Sequence, residues 1–80
     1  MHEVALVNSI IKMAENKIGN LLILRTINLS LGNDACVSYE ALEFALNVAI
    51  QKYNLAPIKL QVEVIENSAE IKVKSFEVAE

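Results

Sequence analysis

A helix-patterned segment, Ser38 to about Tyr53, lies between two segments of strand pattern, and that order constrains the fold more than any other feature. Before it, in a strand read from Leu21 to Leu31, Ile27, Leu29 and Leu31 alternate with Thr26, Asn28 and Ser30. After it, Ile58, Leu60, Val62 and Val64 alternate with Lys59, Gln61 and Glu63. A period of two marks a strand with one face in a core. Two strands joined through a helix pair in parallel, and the crossover is right-handed. A third strand pattern runs from about Glu70 to Val78 after Asn67-Ser68, which reads as a hairpin tip. It is expected to lie antiparallel beside its predecessor. Its alternation slips, because Ile71 and Val73 share one parity and Phe76 and Val78 the other. A bulge near Lys74-Ser75 would restore a single apolar face.

The first segment is helical from about Glu3 to Ile18. Val7, Ile10, Ile11, Ala14 and Ile18 recur at spacings of three and four, and Leu6 and Met13 widen that face. Gly19 supplies the residue that tolerates positive φ at a helix end. Ser38 is the expected N-cap of the second helix, and Glu40 and Glu43 suit the positive end of its dipole. Glu40, Glu43, Asn47, Gln51 and Asn54 form a narrow polar stripe on a helix that is otherwise apolar. Such a helix needs cover from the first helix or from another subunit. The order α-β-α-β-β predicts an α+β two-layer sandwich, with both helices on one face of a mixed three-stranded sheet. Residues 1–80 read as one domain.

Charge and residue content exclude several functions. A net charge of -3, no basic run and few aromatic residues argue against nucleic-acid binding. No apolar run approaches the roughly 20 residues that span a bilayer, and Glu3 precedes the first apolar residues where a signal peptide would be basic. Cys36 stands alone, so neither an internal disulfide nor a thiolate zinc site is expected, and the setting is read as cytoplasmic. Cys36 itself reads as a small, half-buried apolar residue; the alternative is a reactive thiol before a helix. Gly19 and Gly32 are isolated, so there is no phosphate-binding glycine loop. No catalytic triad can be assembled, and the chain does not read as an enzyme.

One place concentrates chemistry. Met1-His2-Glu3 sets the only histidine beside the free amine and the first backbone amides; by position alone His2 reads as a frayed, solvated side chain, and the alternative is a metal ligand. The amine and the His2 amide nitrogen close a five-membered chelate ring. The same amide and the imidazole Nδ1 close a six-membered ring. Amine and imidazole titrate near ~7.7–8.0 and ~6.5, so both are free for a metal near neutral pH. Deprotonated amides favour square-planar Ni(II) or Cu(II). Each amide proton displaced adds negative charge, as does Glu3, and this offsets the repulsion between a dication and a helix N-terminus. His2 is also bulky, and initiator methionine is trimmed before small residues. The terminus such a site requires is therefore retained.

These segments resemble the HypA/HybF nickel metallochaperones of hydrogenase maturation. The resemblance rests on the start MHE, INLSLG at Ile27 to Gly32, VSYEALEFALNVA at Val37 to Ala49, IKLQVEVIE at Ile58 to Glu66, and AEIKVKSFEVAE at Ala69 to Glu80. It implies Ni(II) held by the Met1 amine, the His2 imidazole and the backbone nitrogens of His2 and Glu3. It also implies delivery to the hydrogenase large subunit together with a HypB-type GTPase, and a link to urease in some bacteria. Two departures stand out. Relatives insert a zinc domain with two C-x-x-C motifs between the last two strands, whereas here Glu66-Asn67-Ser68 joins them directly and no zinc site is expected. Tyr39 stands where many relatives have proline. The alternatives to nickel delivery are an interaction module that keeps only the docking surface, and a homodimer or strand-swapped oligomer formed through sheet edges or the 66–68 hinge.

Overall fold

The computed structural model describes residues 2–80, with side chains from Glu3 onward. The elements are α1 (His2–Ile18), a 3-10 turn (Leu21–Ile23), β1 (Leu24–Gly32), α2 (Tyr39–Lys52), β2 (Lys59–Ile65) and β3 (Ile71–Val78). This is the α+β arrangement that the patterning predicts. α1 ends where Gly19 takes φ +89°. The expected strand from Leu21 starts three residues later. Asn20 Oδ1 accepts from the Leu22 amide at 3.0 Å and caps a turn over Leu21–Ile23, so a local side-chain bond overrides the strand pattern there. Ser38 caps α2 as expected, its Oγ accepting from the Ala41 amide at 3.2 Å.

One core joins the layers. Val7, Ile10, Ile11 and Ala14 of α1 meet Leu42, Ala45, Leu46 and Ala49 of α2 over Leu24, Ile27, Leu29 and Leu31 of β1. Ile58 and Leu60 close it beside β2. Asn28, Gln61, Glu63, Lys74 and Ser75 border a shallow hollow on the opposite, open face of the sheet.

The sheet order is β2-β1-β3, with β2 parallel and β3 antiparallel to β1. The expected β2–β3 hairpin is therefore not formed. The reason is burial. Of the three strands β1 carries the most deeply buried side chains, Leu24, Ile27 and Leu29, and a hairpin would have left it at an edge. The strands bearing Lys59, Glu63, Lys72, Lys74 and Glu77 take the edges instead. Residues 66–70 step across one strand, roughly 10 Å at the usual spacing, which five residues span with ease.

That link is fastened to the end of β1. Gly32 N donates to Glu70 O at 2.8 Å, Asn33 N to Ile65 O at 2.9 Å and Asp34 N to Ser68 O at 2.8 Å. Asn67 N donates to Asn33 Oδ1 at 2.9 Å. The bulge expected in β3 is present: Asn28 opposes Ser75 while Leu29 opposes Val73, leaving Lys74 as the extra residue. A second irregularity falls at Arg25 of β1, whose guanidinium turns back to the Leu22 and Leu24 carbonyls.

Candidate metal centre

The two helices run the same way. Val7 and Ile10 of α1 border the same small apolar space as Leu42 and Leu46 of α2. Further along, Ile11, Lys12 and Glu15 border a groove with Tyr53. Both helices run opposite to β1, since α1 folds back into it and α2 leads back to the start of a parallel strand. The start of α1 therefore lies at the end of the molecule where β1 finishes, α2 begins and residues 66–70 cross. Asp34, Cys36, Ser38, Glu66 and Glu70 belong to the same end. Their grouping was not legible from sequence separation and follows from topology alone.

Of the three residues singled out at the amino terminus, Met1 and the His2 side chain lie outside the described residues. The backbone of His2 opens α1, and Glu3 is half-buried in its first turn. That placement has a chemical consequence. Amides in the first turn of a helix have no acceptor four residues back. The nitrogens of His2 and Glu3 can therefore lose their protons to a metal without breaking any helical bond. Among the described residues, no group of three or more His, Cys, Asp or Glu side chains could hold a metal ion. A metal bound by this donor set draws on main-chain nitrogen.

Cys36 is exposed rather than half-buried, because it sits in the turn that carries the chain around the end of the sheet. Glu40 and Glu43 are exposed on the first turns of α2, as expected. Glu43 has a partner that sequence reading missed: Tyr39 Oη donates to its Oε2 at 3.0 Å, an i, i+4 contact on the helix surface. This bond holds the Tyr39 phenol above the ordinary tyrosine range. Desolvation and the negative charges of Glu43 and Glu40 push the same way. Tyr39 Oη also approaches the Leu60 carbonyl at 3.5 Å, which ties the start of α2 to β2. The glutamate four residues after Tyr39 was the signal available in the sequence. No described helix is long and apolar enough to cross a membrane.

Residues 1–78 match a family model described as HypA: hydrogenase/urease nickel incorporation, metallochaperone. Among curated proteins none matches the chain.

Proposed function

We infer function from the premise that this chain belongs to the HypA family, the metallochaperones of nickel incorporation into hydrogenase and urease. The chain takes up Ni(II) as cargo at its amino terminus and passes it on during hydrogenase maturation. It performs no catalysis. The ligands are the Met1 amine, the His2 imidazole and the backbone nitrogens of His2 and Glu3. The observation that carries this reading is the family match beginning at residue 1, so that it includes the MHE start. The first-turn position of the His2 and Glu3 amides supports it, because those nitrogens are the ones a helix leaves without acceptors. Displaced amide protons keep the site from placing an uncompensated dication at the positive end of α1.

The chain serves as one nickel-binding domain in the cytoplasm. It holds one cysteine, so it has no counterpart of the paired C-x-x-C zinc motifs, and β2 passes to β3 through residues 66–70 alone. Its partners are a HypB-type GTPase and the hydrogenase large subunit, which receives the metal. Nickel titration of untagged protein, followed by calorimetry and by the visible absorbance of planar Ni(II), tests the reading. Wild type binds one ion. His2→Ala and amino-terminal acetylation each weaken binding by roughly a hundredfold, the scale on which a lost metal-site partner is felt. Equal binding by all three proteins, or binding by none, overturns it.

A second reading is favoured by α2, where Phe44 is 65% exposed and Val48 lies one turn further along the same face. In it the chain docks on the GTPase without carrying metal. Pull-down of the GTPase by His2→Ala protein, unchanged by added nickel, selects that reading over the first.

A further inference from the structure

β3 is an edge strand, and its bulge gives it a symmetry that its sequence lacks. Ile71, Val73 and Phe76 pack toward the core, and Val78 continues that face opposite buried Leu24. On the open face Glu77 Oε2 accepts from Asn28 Nδ2 at 2.9 Å, and Ser75 Oγ from the same nitrogen at 3.0 Å. Lys74 Nζ reaches Glu63 Oε1 of β2 at 2.6 Å over that face. Lys72 is the immediate neighbour of Val73 and opposes Ser30, so by alternation it shares the open face with them, with its Nζ 3.6 Å from the exposed Glu70 carboxylate. About the Lys74–Ser75 step the strand is therefore palindromic in chemistry. Ile71 answers to Val78, Lys72 to Glu77 and Val73 to Phe76, each pair on one face. Without the extra residue, Lys72 and Glu77 would point to opposite faces.

We propose that β3 pairs antiparallel with β3 of a second copy of this chain, about a two-fold axis at the Lys74–Ser75 step. The dimer is a continuous six-stranded sheet with four helices on one side. In this register each Lys72 opposes the partner's Glu77, so two opposite-charge pairs flank the axis. Slipping toward Lys72 opposite Lys72, or Lys74 opposite Lys74, sets like charges together, and the lysines exclude those alternatives. Val78, 42% exposed, gains cover from the partner's Ile71. The β2 edge is a poorer candidate. Tyr39 Oη already lies at the Leu60 carbonyl, a main-chain acceptor of that strand. The inference is independent of the metal site.

Sedimentation equilibrium over a wide concentration range tests it, with circular dichroism to check folding. Both charged side chains are exposed, so the fold survives their reversal. Wild type dimerises. Lys72→Glu and Glu77→Lys each weaken dimerisation by roughly tenfold or more, since each reversal creates two like-charge oppositions, and the double variant K72E/E77K regains it. Disulfide trapping in a Cys36→Ser background gives a second readout. Lys72→Cys with Glu77→Cys cross-links two chains, and Lys72→Cys alone does not. Three results would overturn the proposal: a monomer at all concentrations, a dimer indifferent to the single reversals, or a dimer broken by reversing Lys59 or Glu63 instead.

Discussion

Gly32→Ala is expected to be the most damaging single-methyl addition in this chain. A Cβ built on Gly32 would lie 2.1 Å from the Ser68 carbonyl oxygen and 2.4 Å from its carbon. Both are backbone atoms, so no rotamer change relieves the clash, and the 66–70 link has to move. Forcing extra volume into such a site costs about 1–3 kcal/mol. Moving the link also strains the bonds from Gly32 and Asp34 to Glu70 and Ser68, worth about 1 kcal/mol each. The expected loss is roughly 3 kcal/mol, out of a total of about 4–12 kcal/mol for a chain this size. Thermal unfolding by circular dichroism should show the midpoint falling by roughly 12–24 °C, at about 4–8 °C per kcal/mol. Gly19 is the control. A Cβ there meets nothing within 4 Å, but φ is +89°, so Gly19→Ala costs only the left-handed penalty of about 1–2 kcal/mol. The two sites then separate on a further variant. Gly19→Asn recovers part of its loss, because asparagine tolerates positive φ, while Gly32→Asn is worse than alanine. A Gly32→Ala midpoint within a few degrees of wild type would refute the steric reasoning.

Leu42 is fully buried among Leu46, Val7 and Ile10, so Leu42→Ala should cost about 3 kcal/mol in denaturant titration, whereas Phe44→Ala on the same helix should change stability by less than ~0.5 kcal/mol. Ser38→Ala removes the acceptor for the Ala41 amide and should cost about 1 kcal/mol by the same measurement. Spectrophotometric titration should find Tyr39 ionising above the ordinary tyrosine range, and Glu43→Gln should bring it down, since the Glu43 carboxylate is the chief cause of the shift. Because the folded chain holds that proton longer than the unfolded one, the contribution is whole below the ordinary tyrosine pKa and is lost as pH rises through the raised value.

Periodicity disclosed the elements because each must hide one face, and hiding leaves a record at period two or near three and a half. The β3 bulge is the strongest instance. The parity slip between Val73 and Phe76 has no other economical cause, and Lys74 is the residue left over. Strand order left a fainter record. Adjacency in sequence suggested that β3 would follow β2, but which strand takes the centre depends on the relative burial of all three. Leu21–Ile23 was illegible for a local reason, since one Asn20 side-chain bond outweighs three apolar residues. Cys36 misled because its exposure depends on how the chain rounds the sheet, and no property of the thiol reports that path.

The metal reading and the stability of the fold should be separable, and Asn33 is the place to separate them. Its Oδ1 accepts from Asn67 N and ties the 66–70 link to the end of β1, the same end from which α1 starts. The proposed nickel ligands nevertheless all come from residues 1–3, and three of the four are main-chain or terminal nitrogens. Asn33→Ala should therefore lower stability by about 1 kcal/mol and leave nickel affinity unchanged in protein that remains folded. His2→Ala should do the reverse. A fall in nickel affinity with Asn33→Ala, measured well below its unfolding midpoint, would mean that the link contributes to the site. The ligand set would then have to extend beyond the first turn of α1.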